Sequence, residues 1–412
     1  MPARTSRRAD VLALVQAGGA GGRMDVLTRE RAKPALPYGG VHRLIDFALS
    51  NLVHAGIHDV WVSVEYQVAS IDEYLSGGRP WDLDSNRGGF RRMVPQTGSG
   101  PATEDQFAYG NGDLLLRMAR DLEAFGAPTL VVSSADHVFS ADLRPVIADH
   151  VASGKAATLL TSEVSREEAS ANVVVTVDGD GLVTGLEEKP EEPSSTTVAT
   201  ELFVYQLEPL MATLRDLRAE LSGEAEGDDS GIGDFAEHLL PRLVERGEVR
   251  AVPLEGYWRD LGRPGAYLKG HRDLLAGKVP IEDERPVISK WQDRSAARVR
   301  AGARLEDSML SPGCDVAGEV VRSVLGPGVV VEAGARVVDS VLFEDVVVEA
   351  GASVATSVVD EASVVGRGAT VGSEAPADDL DDDAVVLVGQ ECRIGAGTQV
   401  PAGGRLEPGT TT

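Results

Sequence analysis

From residue 10 to about residue 255, short apolar runs alternate with stretches of helical period. Val11 to Val15 is five consecutive apolar residues, the pattern of a strand buried on both faces. Asp59 to Val64, Pro128 to Ser134 and Ala157 to Val164 read as further strands. Helical spacing predicts helices over Leu44 to Ala55, Asp113 to Phe125, Leu143 to Ala152 and Phe235 to Arg246. This alternation predicts an α/β domain with a Rossmann-like, mainly parallel sheet, in which ligands collect at the carboxyl ends of strands. Asp136 falls just past one such end, and a glycine-rich loop just past another.

After about Ala276 the helical period stops and short valine-rich phrases recur. Ser308-Met309-Leu310, Ser323-Val324-Leu325, Ser340-Val341-Leu342 and Ser357-Val358-Val359 follow at steps of 15, 17 and 17 residues. Gly302, Gly334, Gly351 and Gly368 each precede an alanine at nearly the same phase. A repeat near 17 or 18 residues is three hexapeptides, one coil of a left-handed parallel β-helix. The expected division is a flexible opening over residues 1–9, a catalytic domain over 10–276, a linker over 277–298 and a β-helix domain over 299–412.

A chain of 412 residues with 42% hydrophobic content can fill two such cores. No apolar run approaches the ~18 residues of a membrane span, and the basic opening lacks a signal-peptide core, so a cytoplasmic protein is expected. A formal net charge of −26 argues against nucleic acid or an anionic membrane as partner. Two cysteines, Cys314 and Cys392, exclude a disulfide framework and read as small buried hydrophobes. The acidic stretches Gly223 to Asp229 and Asp378 to Asp383 lack EF-hand spacing and read as solvated loops.

The chemistry concentrates near the first strand. Ala17-Gly18-Gly19-Ala20-Gly21-Gly22-Arg23 follows it directly, and glycines there let backbone amides approach an anion closely. The loop lacks the Gly-Lys-Ser/Thr ending of a P-loop, and Met24 stands where the dinucleotide fingerprint needs its last glycine. A plain tight turn is the competing reading. Arg23 and Lys33 supply cations that could neutralise a polyphosphate.

With Arg31-Ala32-Lys33-Pro34-Ala35 and Arg43-Leu44-Ile45-Asp46-Phe47, this segment resembles the N-terminal signature of sugar-nucleotide pyrophosphorylases, most closely the bacterial glucose-1-phosphate adenylyltransferases. Ser134-Ala135-Asp136-His137 resembles the family's Gly-Asp-His segment, Glu187-Glu188-Lys189-Pro190 its Glu-Lys-Pro segment, and Trp258-Arg259-Asp260-Leu261-Gly262 its Trp-Arg-Asp-x-Gly segment. The resemblance implies Mg²⁺-dependent transfer of a nucleotidyl group from ATP to glucose 1-phosphate, yielding ADP-glucose for glycogen-type synthesis. It implies Arg23, Lys33 and Asp136 as catalytic groups, with Asp136 and Asp260 as metal ligands. It places the nucleotide on Ala17, Gly18, Gly19, Gly21, Gly22, Gln96, Gly110 and Asp113, and the sugar phosphate on Glu188, Lys189, Glu201 and Trp258. It also implies a homotetramer and a metabolite effector.

The chain departs from the family in the sugar pocket. Asn172-Val173 replaces Phe-Gly, and Ala199-Thr200-Glu201 replaces Ser-Met-Gly. The added side chains leave open a different sugar 1-phosphate, of glucosamine or mannose type, or a non-catalytic regulatory paralogue. A hexapeptide acyltransferase is disfavoured, because its chemistry usually needs a histidine base and none of the seven histidines lies beyond His271.

Overall fold

The computed structural model describes residues 10–19, 21–85, 88–94, 108–221, 230–375 and 380–412. The opening nine residues, Gln96 and the acidic stretch Gly223 to Asp229 lie outside them. Among the described residues nine strands form one sheet: β1 (Val11–Ala17), β2 (Val60–Val64), β3 (Phe90–Met93), β4 (Thr129–Ser134), β5 (Ala157–Glu163), β6 (Val173–Val177), β7 (Val183–Glu188), β8 (Thr197–Gln206) and β9 (Val249–Pro253). Their order is β7-β6-β8-β4-β1-β2-β3, with β5 pairing β8 and β9 pairing β5.

β4, β1, β2 and β3 run parallel, and β8 is antiparallel to β4. The apolar run of β1 divides by alternation: Leu12 and Leu14 enter one core with Leu130 and Val132, while Ala13 and Val15 enter the opposite core with Val60, Val62 and Val131. Both faces are therefore dry. Helix Leu44–His54 covers the second core and helix Leu207–Leu221 the first. The helix expected over Asp113 to Phe125 breaks at Met118 into Asn111–Arg117 and Ala119–Phe125. The helix expected from Phe235 opens as a single π turn, Phe235–Leu239, before Leu240–Glu245.

The C-terminal strands form three six-stranded parallel sheets, each taking one strand per coil. The serine repeat has a hydrogen-bonding cause. Ser308 Oγ accepts from Ser323 N at 3.1 Å, Ser323 Oγ from Ser340 N at 3.1 Å, and Ser340 Oγ from Ser357 N at 3.2 Å. Each hydroxyl also donates to a carbonyl two residues before it, so one side chain satisfies polar groups of its own coil and the next. Gly302, Gly334, Gly351 and Gly368 hold φ between +66° and +89°, which a repeated corner requires. Cys314 and Cys392 are buried free thiols in this apolar interior.

The β-helix packs on the catalytic domain through a shared core. Met24, Leu27, Leu36, Tyr38 and Phe47 meet Val324, Val341, Phe343, Val358 and Leu387. Ion pairs cross the same junction: buried Arg31 reaches buried Asp360 at 2.7 Å and the more exposed Glu361 at 3.0 Å. The second acidic stretch departs from the solvated-loop reading where it is described. Asp382 accepts from Gly265 N at 2.9 Å and pairs with Arg263 at 2.7 Å, tying the start of helix Pro264–Leu275 to the β-helix.

Candidate active site

A cavity of about 810 Å³ opens at the carboxyl ends of β1, β2 and β4, lined among others by Gln16, Gly18, Gly19, Glu65, Asn111 and Asp136. Ala17 ends β1 and is buried. Gly18 lies against Glu65, where a Cβ would stand 3.0 Å from Glu65 Cδ, and Gly19 has open space in front of it. Gly21 has φ +65° and precedes the turn Gly22–Thr28; a Cβ on it would come within 2.9 Å of Lys33 Cβ. That approach lets the loop lie against Lys33. Gly22 and Arg23 are exposed on the turn.

Lys33 occupies a 3₁₀ turn held by Pro34, and its side chain is only 6% exposed. Its ammonium stands 2.6 Å from Asp136 Oδ2 and 3.7 Å from Asp260 Oδ1. Asp136 follows β4 and accepts from Ser134 Oγ. The short strands His137–Phe139 and Trp258–Asp260 pair antiparallel, with Asp260 opposite His137, which brings two distant motifs to one point. Asp260 is not the partner of Arg259: that guanidinium goes to Glu168 at 2.6 Å and Asp273 at 3.0 Å. Asp260 is thereby left to face Lys33 and His137.

His137 Nε2 lies 3.6 Å from Asp136 Oδ1 and 3.6 Å from Asp260 Oδ1, and Nδ1 is 3.1 Å from Thr200 O. Glu201 follows Thr200 where β8 slips in register against β5, and it takes φ +55°, a left-handed conformation that glycine favours. Its carboxylate, Asp136 and His137 each offer a ligand atom, all within 4.8 Å of one another.

Charge and burial compete throughout this group. Burial opposes a charged Lys33, but Asp136 and Asp260 outweigh it and raise its pKa. Burial likewise opposes ionised Asp136, yet Lys33 and His137 hold it well below the usual carboxylate range. Glu201 is raised by burial and by Asp136 and Asp260, with His137 acting against them. Burial lowers His137, but Glu201, Asp136 and Asp260 together raise it. Three carboxylates thus surround one ammonium and one imidazole.

On the opposite wall, Gly110 has φ +102° and would meet Gly233 C at 2.5 Å if it carried a Cβ. Asn111 N donates to Asp234 Oδ1 at 3.0 Å and Asn111 Oδ1 accepts from Phe235 N at 2.6 Å, stitching the two loops together. Asp113, expected at the nucleotide, instead sits behind this wall. It is 1% exposed and its carboxylate holds Arg117, Tyr109 N and Ser230 Oγ, a supporting position with no face on the cavity.

The expected sugar-phosphate residues are spread more widely. Glu188 and Lys189 are exposed and pair with each other at 3.1 Å, and Lys189 holds φ +43° while its N–H donates to Asn172 O at 3.0 Å. Neither lines the large cavity. Trp258 and Asn172 instead line a neighbouring cavity of about 420 Å³ with Glu168, Arg259, Asp260 and Arg263. Trp258 stands edge-on to His137 at 5.3 Å, and its buried Nε1 has no hydrogen-bond partner among the described residues. Sequence reasoning missed Glu65, whose signal was its place just past the end of β2. Its Oε1 is buried without a partner, and burial pushes its pKa up to about 7 against the pull of Arg117.

A glycine loop, a buried lysine and facing aspartates gathered at the ends of the parallel strands of a mixed sheet suit a nucleotidyltransferase, and the chain matches that class. The nucleotidyl transferase family model matches residues 12–277, and a GlmU-like C-terminal hexapeptide model, the signature of left-handed parallel β-helices, matches residues 294–388. Within that class the chain belongs to the glucose-1-phosphate adenylyltransferase family. It is 36% identical to the enzyme of that name from Streptomyces avermitilis over 79% of this chain and 82% of the relative. It is 35% identical to that of Streptomyces coelicolor, covering 79% and 84%. The Thermosipho melanesiensis enzyme is 32% identical, covering 79% and 77%.

Proposed function

We propose that the chain transfers the adenylyl group of ATP to glucose 1-phosphate, giving ADP-glucose and pyrophosphate for glycogen-type glucan synthesis in the cytoplasm. The observation that carries this reading is the meeting of the glycine loop, Lys33, Asp136 and Asp260 at the ends of parallel strands. In the reaction, a sugar-phosphate oxygen attacks the α-phosphorus and the pyrophosphate oxygen departs. Both partners are anionic, so the protein's task is to align them and neutralise charge.

Gly18, Gly19, Gly21 and Gly22 would bring the chain close to the triphosphate, with Arg23 at the mouth and Lys33 at depth. Glu188, Lys189, Glu201 and Trp258 would hold the sugar phosphate, and Gln96 and Gly110 the base. Asp136 and Asp260 would hold Mg²⁺. The fit rests on Lys33, whose ammonium lies near both carboxylates, so the pair already faces one cation. Bound Mg²⁺ would add positive charge at the phosphate oxygens. By analogy with the family we also infer a homotetramer, a metabolite effector, and a domain division at residues 277–298.

The test is pyrophosphate release by purified protein with Mg²⁺, over the common nucleoside triphosphates against glucose-, glucosamine-, N-acetylglucosamine- and mannose-1-phosphate. Turnover centred on ATP with glucose 1-phosphate is expected, and turnover confined to another pair would reassign the substrate. Glu201 favours a second reading, since its side chain enters the cavity on a backbone suited to glycine. Silence across the whole matrix in folded protein would make the chain a regulatory paralogue.

A further inference from the structure

We propose that Glu65 reads the base of the nucleotide, its free carboxylate oxygen accepting a hydrogen bond from the 6-amino group of adenine and so selecting ATP over 6-oxo purine triphosphates. Glu65 follows β2 and lines the large cavity together with Gly18, Tyr66, Ala108, Gly110 and Leu114. Its carboxylate is held from two sides. The backbone N–H of Ala108 hydrogen-bonds it, and because Oε1 has no partner among the described residues, that bond falls on Oε2. Gly18 closes the other side, since a Cβ there would stand 3.0 Å from Glu65 Cδ and 3.1 Å from Oε2. Oε1 is left as a buried acceptor with nothing to accept, a costly state that a donor on a ligand would relieve.

The chemistry of a nucleoside triphosphate decides which donor that is. Its phosphates carry no donor and are repelled by a carboxylate, which leaves the ribose hydroxyls and the nitrogen donors of the base. The position favours the base. Ala108, which holds Oε2, stands two residues before Gly110, and Ala108, Leu114 and the half-exposed ring of Tyr66 give the same cavity apolar surface that suits a flat ring. Adenine offers one donor group on the edges of its ring, the 6-amino group. Hypoxanthine and guanine carry a carbonyl oxygen at that position, which would meet Oε1 acceptor against acceptor. Burial pushes Glu65 up to about 7 against the pull of Arg117 and with the push of Asp113, so above that value the carboxylate is ionised and can only accept.

The inference rests on reading this cavity as the transfer site, and its test reads binding as well as turnover. ATP, ITP and 2′-deoxy-ATP would be titrated by calorimetry with Mg²⁺ at pH 8 into the full-length protein, as wild type, Glu65→Gln and Glu65→Leu, and kcat/KM measured for each nucleotide that turns over. Wild type should favour ATP over ITP by roughly tenfold or more, because a site built around a substrate N–H leaves its own acceptor unpaired with the analogue that lacks it. Glu65→Gln keeps the volume under Gly18 and can turn its amide N–H toward a carbonyl, so it should lose most of that preference by gaining ITP. Glu65→Leu should lose it by weakening ATP. Equal affinity for ATP and ITP in wild type, or an unchanged ratio in Glu65→Gln and Glu65→Leu, would overturn the inference. So would 2′-deoxy-ATP binding that is weak in wild type and no weaker in Glu65→Leu, since Oε1 would then serve the ribose. Turnover of ATP with the ratio unmoved in both variants would sink this inference and leave the transfer reading standing. A preference for ATP that depends on Glu65, in protein silent toward every sugar phosphate, would uphold it and sink that reading.

Discussion

Replacing Arg31 with methionine removes the cation at the centre of the domain junction while keeping most of the side-chain volume. Arg31 and Asp360 are 5% and 1% exposed, with Nη1 and Oδ1 2.7 Å apart. Glu361 adds a second contact at 3.0 Å, and the guanidinium lies 5.6 Å from the Phe343 ring centroid. Asp360 Oδ2 has no hydrogen-bond partner among the described residues, so Arg31 carries much of what compensates that buried charge. Removing one partner of such a pair costs about 3–5 kcal/mol, because the remaining ion stays buried and uncompensated.

Acid should reduce the cost. Burial already pushes Asp360 up to about 6 against the pull of Arg31, and without Arg31 it moves higher. Protonation then neutralises the stranded carboxyl, so the penalty relative to wild type shrinks by about 1.4 kcal/mol per pH unit between that raised value and about 6, where wild-type Asp360 begins to take up its own proton. Arg31→Met with Asp360→Leu removes both charges and should recover most of the loss. The assay is urea unfolding at pH 7.5 and 5.5 for wild type, both single variants and the double. A single-variant cost under 1 kcal/mol at pH 7.5, or a double variant as unstable as Arg31→Met, would refute the reasoning.

Asp136→Asn and Asp260→Asn should each lower kcat by roughly 10²-fold or more through lost electrostatic stabilisation, and wild-type rates in steady-state assays would remove both from the proposed chemistry. Gly110→Ala should cost about 1–3 kcal/mol, because φ +102° is strained for alanine and its Cβ would meet Gly233 C at 2.5 Å; an unchanged urea midpoint would count against this. His271 is 1% exposed, and burial pushes its pKa down to about 4. Its Nε2 accepts from Gly39 N at 3.3 Å and Nδ1 donates to Tyr267 O at 3.0 Å. The unfolded chain takes up a proton near pH 6.5 that the folded chain refuses until about 4, so stability is lost as pH falls through that window, by roughly 3 kcal/mol. His42 and His150 are lowered to about 4 in the same way, so a His271→Gln variant should lose only its own share of the change in urea midpoint between pH 7 and 4.5; an unaltered pH difference would exclude His271 as a contributor.

What was legible in the sequence was local or periodic. β1 announces itself because a strand buried on both faces has no polar positions to spare. The serine repeat is legible because each hydroxyl must meet the same carbonyl and amide on every coil. The break at Met118 was not, since residues on both sides keep a helical pattern and tertiary packing decides the interruption. Asp260 beside Asp136 came from the family resemblance, for no local signal announces the pairing of Trp258–Asp260 with His137–Phe139. Asp113 was drawn toward the nucleotide by its motif, whereas its partners Arg117 and Ser230 only become visible in three dimensions.

The hardest property to read was the dependence of Lys33 on the far end of the chain. Lys33 sits two residues beyond Arg31, in a segment whose neighbours Met24, Leu27, Leu36 and Tyr38 share one core with the β-helix. An isolated sheet domain would expose that apolar surface and leave Arg31 without Asp360 and Glu361. The 3₁₀ turn that aims the ammonium at Asp136 would keep its contacts inside the sheet domain, with Ala35 in the second core, Ala32 N on Ser70 Oγ and Arg43 Nη1 on Ala35 O, but it would lose the packing behind it. The β-helix, which carries no histidine of its own, packs against the back of the segment that bears the buried cation. Its valines supply apolar contacts to that segment, and Asp360 and Glu361 supply the charge that Arg31 meets, two residues before Lys33.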